Sequence, residues 1–333
     1  MNTILPWQQE QWSLLRTRAG ERRLAHGLLF TGPAGTGKSV FAETFARSLL
    51  CNRPSTDGLP CGACAACLLL AAGTHPDFIR LSPPEDKTQI LIDQIRELCR
   101  LLGLKSHAGG YKVATLSPAD QMNVAAANSL LKTLEEPTDN TVLILITEQP
   151  ARLPATIRSR CQQVRFPAPP PEQGRAWLET QLGAGSGEAE LSLSLAEGAP
   201  LRALALGQSG TLQERHGWLG QLIALRRGQQ DPVRVAAEWA EDTELRPLYW
   251  FGSFLSDLIR LHQGNAATIK NMDLLDKLEI LLAILSGAES HRLLNRVWRD
   301  FRLAQQTSVN RPLLMEDVLI EWVRGGQRRR TMV

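Results

Sequence analysis

The chain of 333 residues is 43% hydrophobic and 21% charged, so at ~100–200 residues per domain it has room for two or three domains. Its 37 basic and 34 acidic residues leave a net charge of +3, which excludes the general attraction to nucleic acid of a strongly basic protein. No apolar run approaches the ~18 residues of a membrane span and no secretory pattern opens the sequence, so we expect a cytoplasmic protein with no membrane contact and reduced cysteines.

The first 166 residues alternate apolar, strand-like runs with helical patterns, which is typical of an α/β domain with a largely parallel sheet. Helices are predicted at 39–50, 90–102 and 119–135, and Pro137 closes the last because proline cannot continue a helix. The predicted strands are 27–31, 78–81, 111–116, 141–147 and 163–166.

A phosphate-loop motif, G-x-x-x-x-G-K-[ST], follows the first strand and opens the next helix. Its glycines allow backbone N–H groups to face phosphates, Lys38 would reach the β and γ phosphates of ATP, and Ser39 would ligate Mg²⁺. The alternative is a glycine-rich turn that keeps only the shape of an ancestral site. The predicted nucleotide-binding residues of this loop are Gly32, Pro33, Ala34, Gly35, Thr36, Gly37, Lys38 and Ser39.

Four of the six cysteines form a cluster with the spacing C-x9-C-x2-C-x2-C. Four thiolates can enclose a tetrahedral Zn²⁺ and leave no open position for a catalytic water, so a structural zinc site is predicted. A redox pair or an iron–sulfur cluster is the alternative, His75 is a rival ligand, and neither Cys99 nor Cys161 has the context of a ligand. The predicted metal ligands are Cys51, Cys61, Cys64 and Cys67.

Efficient ATP hydrolysis also needs a metal-binding carboxylate at the end of a neighbouring strand. The strand at 111–116 is followed instead by Ser117 and Pro118, and Asp120 comes three residues beyond the position of that carboxylate, so it is not expected to replace it. Glu135 and Glu136 are interpreted as solvated residues at a helix end. We therefore expect little hydrolysis by this chain alone, and no paired-carboxylate centre predicts polymerase chemistry.

A proline-rich run at 167–171 interrupts the α/β pattern, because successive prolines fix an extended backbone. Short helical segments follow it, and longer ones with apolar residues at three- and four-residue spacing continue from about residue 211. The sequence thus predicts three domains: 1–166 with the cysteine module at 51–67, a small helical domain at 167–210, and an all-α domain at 211–333.

Several segments carry a family resemblance: HGLLF at 26–30, the four-cysteine insertion, GTHPD at 73–77, IDQIR at 92–96, ANSLLKTLEEP at 127–137 and NRPLLMED at 310–317. Together they resemble the clamp-loader branch of the AAA+ family, and within it the delta-prime subunits of bacterial DNA polymerase III. The resemblance covers most of the chain. It implies an AAA+ domain, a helical lid and a C-terminal collar for the three predicted domains.

The same resemblance implies roles for single residues. Arg160 in Ser159-Arg160-Cys161 resembles the arginine that reaches into the ATP site of a neighbouring subunit, and Thr147 and Arg202 match the sensor 1 and sensor 2 positions. The implied partners are gamma/tau motor subunits and a delta subunit in a five-subunit clamp loader, together with a sliding clamp and primer-template DNA.

Two departures from the family pattern leave an alternative open. The phosphate loop is intact, whereas delta-prime subunits commonly have a degraded one, and this favours an ATP-hydrolysing motor subunit. The acidic pair that the motor subunits carry is missing, however, and this favours a bracing subunit of the delta-prime type.

Overall fold

The computed structural model describes residues 4–84, 87–107, 109–183 and 185–330. The chain forms two compact units, the first of residues 1–174 with 199–202 and the second of residues 175–198 with 203–333. The finer division into three domains stays a prediction. Among the described residues, none of the helices combines the length and the apolar character that a membrane span requires.

The first unit is built on a five-stranded sheet in which all described pairings are parallel. Its strands are β1 (Gly27–Thr31), β2 (Phe78–Leu81), β3 (Lys112–Leu116), β4 (Thr141–Thr147) and β5 (Gln162–Arg165). They lie in the order β2-β3-β4-β1-β5. All residues of β1, β3 and β4 are buried, because helices cover both faces of the sheet, and this explains why these strands are mostly apolar.

Helices of the first unit pack on both faces of this sheet. They are α1 (Gln9–Gly20), α2 (Lys38–Leu50), α3 (Ala65–Ala71), α4 (Ile92–Leu102), α5 (Val124–Glu135) and α6 (Ala155–Arg158). Since successive strand residues face opposite sides, Phe30 packs in one core with Trp12 of α1 and Phe41 of α2. Its neighbour Leu29 packs in a second core with Leu130 of α5.

The predicted helix at 119–135 is divided in two. Residues Ala119–Gln121 form a short 3-10 helix, and α5 begins only at Val124. Asn123 causes the break, because its Oδ1 accepts a hydrogen bond from the N–H of Ala126 at 2.8 Å and so caps a new helix. The structure otherwise confirms the predicted fold class, a phosphate-loop α/β domain followed by helices.

The second unit is helical in its described residues. Trp239, Phe251 and Trp322 belong to its larger core, and Leu178, Leu193 and Ala203 to a smaller one. The helices from residue 171 onward are α7 (Pro171–Leu182), α8 (Ser186–Leu195), α9 (Pro200–Gln208), α10 (Thr211–Arg226), α11 (Pro232–Ala240), α12 (Arg246–His262), α13 (Leu275–Leu282), α14 (Gly287–Gln306) and α15 (Arg311–Arg330).

Candidate functional site

The phosphate loop joins the carboxyl end of β1 to the amino end of α2. Gly32 and Gly35 have φ angles of 155° and 76°, in the region that favours glycine. A Cβ atom would lie 2.0 Å from the carbonyl oxygen of Phe166 at Gly32, and 2.7 Å from Cβ of Arg202 at Gly35. Both positions therefore require glycine, and Arg202 of the predicted site lies beside the loop.

The side chain of Lys38 folds back onto its own loop. It is 4% exposed, and Nζ donates to the carbonyl oxygens of Gly32 at 2.9 Å and Pro33 at 2.6 Å. Burial lowers the pKa of Lys38, while Glu148, whose Oε1 is 3.9 Å from Nζ, and Asp120 oppose that shift. The ammonium group is therefore held at the loop, where the motif would bind phosphate.

Carboxylates reach the loop from positions other than the end of β3. That strand is followed by Ser117 and Pro118, which line the cavity beside the loop. Thr147, at the end of β4, donates from Oγ1 to Oδ1 of Asp120 at 2.5 Å. Asp120 thus lies closer to the loop than the sequence indicated, and sequence reasoning missed Glu148, the first residue after β4. Its signal was its place at the carboxyl end of a buried parallel strand.

The cavity beside the loop has a volume of about 240 Å³. Small-molecule pockets usually measure ~300–1,000 Å³, so this cavity is smaller than a typical pocket for a whole ligand. Trp7 Nε1 and Gln8 Nε2 both donate to the carbonyl oxygen of Thr36 at 3.0 Å and lie against the loop. The predicted site residues that line the cavity are Gly35, Gly37, Lys38, Ser39 and Thr147.

Arg160 lies at the opposite end of β1 from the loop. It precedes β5, whose Gln162 pairs with Leu28 of the parallel strand β1. A Cβ atom on Gly27, the first residue of β1, would lie 3.3 Å from the carbonyl oxygen of Arg160. Because β1 has five residues, its ends are about 13 Å apart at ~3.3 Å per residue. Arg160, whose side chain is 36% exposed, is therefore not part of the site at its own loop.

The four clustered cysteines come together as predicted. All four Sγ atoms lie within 4.8 Å of one another, with Cys51 3.6 Å from Cys61 and 3.9 Å from Cys64, and Cys61 3.9 Å from Cys67. A tetrahedral zinc with Zn–S bonds of ~2.3 Å spaces its sulfurs about 3.8 Å apart, whereas a disulfide needs about 2.05 Å. The geometry therefore fits one tetrahedral metal ion and not a disulfide.

Backbone groups and burial act in opposite directions on these thiols. Burial raises the pKa of the Cys64 thiol, but hydrogen bonds led by the N–H groups of Cys67 and Asn52 outweigh it and lower the pKa to about 6. Burial raises the pKa of Cys67 to about 12. A bound cation would therefore favour the thiolate form of Cys67 at neutral pH.

The other candidate ligands lie outside this cluster. His75 accepts a hydrogen bond on Nδ1 from the N–H of Asp77 at 3.1 Å, and Asp77 accepts from Ser106 and His107 at 3.0 Å. The GTHPD motif thus fixes a turn. Burial raises the pKa of the Cys161 thiol to about 11, which favours the protonated thiol over the nucleophilic thiolate.

Comparison with known proteins identifies the family. A model described as "DNA polymerase III, delta subunit" matches residues 7–170, and one described as "DNA polymerase III, delta subunit, C terminal" matches residues 209–324. The DNA polymerase III subunit delta' of Pseudomonas aeruginosa is 38% identical over 330 residues, which are 97% of this chain and 98% of that protein. The chain belongs to the delta-prime family of DNA polymerase III subunits. The resemblance carried by the sequence motifs is thereby confirmed.

Further relatives agree with the delta-prime assignment. The delta' subunit of Escherichia coli is 34% identical over 95% of this chain and 94% of its own length. The tau subunit of Bacillus subtilis is 36% identical, but over only 44% of this chain and 25% of its own length. The likeness to delta-prime thus spans nearly the whole chain, whereas the likeness to that tau subunit is partial.

Proposed function

We propose that this chain works as the delta-prime subunit of a bacterial clamp loader and presents Arg160 to the ATP site of a neighbouring subunit. The observation that carries this proposal is the position of Arg160 beside the first residue of β1, with its own phosphate loop at the other end of that strand. A guanidinium group exposed at the amino end of β1 can contact only a nucleotide that another chain binds. There it stabilises the negative charge that develops on the transferred phosphoryl group.

The partners in this proposal are gamma/tau motor subunits and a delta subunit in a five-subunit loader. The loader places a sliding clamp on primer-template DNA, and this chain braces its ring of subunits. Likeness to delta' subunits over nearly the whole length supports this role. The small net charge of +3 agrees with DNA contacts that are local or shared with the partners.

The chain's own loop binds the phosphates of ATP with Mg²⁺ in this proposal but hydrolyses them slowly. Lys38 and Ser39 would hold the phosphates and the magnesium ion, and both line the cavity beside the loop. Ser117 and Pro118 occupy the place of the metal-binding carboxylate. Without that carboxylate, the loop lacks one of the groups that hydrolysis requires.

The four-cysteine cluster holds a structural zinc ion in this proposal. The spacing of the sulfurs fits four Zn–S bonds, and three of the four cysteines are buried. Four protein ligands leave no position for a water molecule. The ion therefore stabilises the 51–67 module and takes no part in phosphate chemistry.

An ATP-hydrolysing motor subunit is the second candidate, and one observation favours it. The structure brings Asp120 and Glu148 near Lys38, so carboxylates are present at the loop although none follows β3. In this reading, Asp120 or Glu148 supplies the acidic group that the motif at 111–120 lacks.

ATP turnover by the isolated chain separates the two candidates. We expect no significant turnover by the chain alone, and loss of clamp-dependent hydrolysis when it is omitted from a loader reconstituted with motor subunits, delta, clamp and primed DNA. Robust turnover by the isolated chain, abolished by Lys38→Ala, would establish the motor function instead. Radioactive phosphate release measures both quantities.

A further inference from the structure

Arg160 is held on the protein surface by a carboxylate of its own chain. Its Nη2 lies 2.5 Å from Oε1 of Glu135, and its Nη1 donates to the carbonyl oxygen of Thr156 at 3.0 Å. The side chains of Arg160 and Glu135 are 36% and 48% exposed. The guanidinium group therefore has a defined direction although it stands at the surface.

The helix end that carries Glu135 is itself fixed to the sheet. His26 Nε2 makes a hydrogen bond of 2.7 Å with the carbonyl oxygen of Leu134. At the next residue, Gly27, a Cβ atom would lie 3.0 Å from Cδ2 of Leu134 and 3.3 Å from the carbonyl oxygen of Arg160. The absence of a side chain at Gly27 thus lets α5 and the segment before β5 approach the start of β1 together.

We propose that Glu135 is a positioning residue for Arg160, and that His26 and Gly27 hold α5 where Glu135 can act. This inference rests on the proposed role of Arg160 as a residue that serves a neighbouring ATP site. Glu135 limits the orientations of a long side chain before the neighbour's phosphates arrive, so less conformational entropy is lost when they bind. This positioning role also accounts for two motifs that do not belong to the phosphate loop, HGLLF at 26–30 and LEEP at 134–137.

The geometry leaves Arg160 able to bind an anion while it is held. A guanidinium group has five N–H donors, and the contacts with Glu135 and Thr156 use two of them. An exposed ion pair of this kind is weak, so a doubly charged phosphate can also draw the guanidinium away from Glu135. Glu135 therefore orients the arginine without trapping it.

The test is single-turnover ATP hydrolysis by the complete reconstituted loader. The kinetic phase that Arg160→Ala removes identifies the site served by this residue. We expect Glu135→Ala to slow that phase about two- to fivefold, the size of a surface ion pair, without changing the ATP concentration that gives half the maximal rate. Glu135→Gln, which keeps an acceptor oxygen, should retain part of the rate.

Two controls distinguish positioning from a general effect on folding or charge. Glu136→Ala removes the adjacent exposed carboxylate and should leave the phase unchanged. In the Arg160→Ala background, Glu135→Ala should not slow the residual hydrolysis at that site any further, because a positioning residue acts only through its partner. Thermal unfolding of the isolated chain should be the same for all of these variants.

The outcomes separate this inference from the proposed function. An unchanged phase in Glu135→Ala, an equal loss in Glu136→Ala, or a further loss in the double variant would each overturn the role of Glu135 and leave that of Arg160 intact. If Arg160→Ala removes no phase at all, the proposed function itself fails.

Discussion

Lys38 and Arg160 lie at opposite ends of strand β1, Lys38 in the loop region that follows it and Arg160 beside its first residue. The two residues that the sequence links to phosphate chemistry are thus separated by the length of a strand, about 13 Å at ~3.3 Å per residue. One chain cannot place both on the same phosphate. In the proposed function, Arg160 therefore serves a nucleotide that another subunit binds.

Arg160→Ala should leave the isolated chain folded and impair hydrolysis in the loader. At the one site that receives this residue, we expect the rate to fall by ~10³, the size of effect of arginines supplied in trans. Hydrolysis at the other sites should continue. The steady-state rate of the whole loader should therefore fall only by the fraction that this one site contributes. Arg158→Ala, two residues away and also exposed, is the matched control. Equal hydrolysis by the parent and by Arg160→Ala would contradict the role.

Purified chain should contain about one zinc ion, measured by atomic emission together with a thiol titration. Cys64→Ser removes one of four thiolates and should reduce the zinc to well below one per chain, because three sulfurs with an open position bind less tightly. Chelation should lower the midpoint of thermal unfolding by ~5 °C or more. Cys99→Ser, which changes a cysteine outside the cluster, should keep the metal. A metal-free chain with four reduced thiols would refute the site.

His75 should make the chain less stable in mild acid. Burial lowers the pKa of this histidine from its usual 6.5, although Asp77 partly opposes the shift. As the pH falls below about 6.5, the unfolded chain therefore takes up a proton at His75 before the folded chain does. The contribution of His75 to the free energy of unfolding is therefore complete above about pH 6.5, and it decreases as the pH falls towards the folded pKa.

Urea unfolding at a series of pH values measures this dependence. His75→Gln should reduce the slope of unfolding free energy against pH between about pH 7 and 5. The comparison of this variant with the parent removes any loss of metal that acid causes in both. Equal slopes in His75→Gln and the parent would show that this imidazole does not titrate differently on folding.

Glu289 should contribute strongly to the stability of the helical second unit. Its Oε1 lies 2.6 Å from Nη2 of Arg226, the two side chains are 9% and 1% exposed, and the guanidinium lies 4.2 Å from the ring centroid of Trp322. A Cβ atom on Gly325 would lie 2.0 Å from Glu289 Oε1, so glycine is required there for the carboxylate to fit.

Glu289→Ala leaves the buried guanidinium without this carboxylate, and we expect the free energy of unfolding to fall by about 3–5 kcal/mol. Glu241→Ala, at an exposed position, should change it by no more than ~0.5 kcal/mol. Urea denaturation followed by tryptophan fluorescence compares the two variants. A loss below about 1 kcal/mol for Glu289→Ala would show that the pair is not effectively buried.

Local patterns in the sequence determined the strands, the phosphate loop and the cysteine cluster. The strands of a parallel sheet are buried on both faces, so they form continuous apolar runs such as 141–147 that are visible without the fold. The loop motif and the cysteine spacing are also short-range, because their residues act within one turn or one small module. The start of a new helix at Asn123 was not predicted, because a single capping residue changes the helical pattern of a sequence only slightly.

Only the tertiary structure decided which of these parts can act together. Asp120 accepts a hydrogen bond from Thr147, and Glu148 and Glu135 form ion pairs with Lys38 and Arg160 respectively. Contacts of this kind depend on the order and direction of the strands, which local apolar patterns do not encode. Because β1 and β5 are parallel, Arg160, which precedes β5, lies at the amino ends of the strands. The loop, which follows β1, lies at their carboxyl ends. The sequence by itself identified Arg160 and the phosphate loop. The shared direction of two neighbouring strands placed them at opposite ends of those strands.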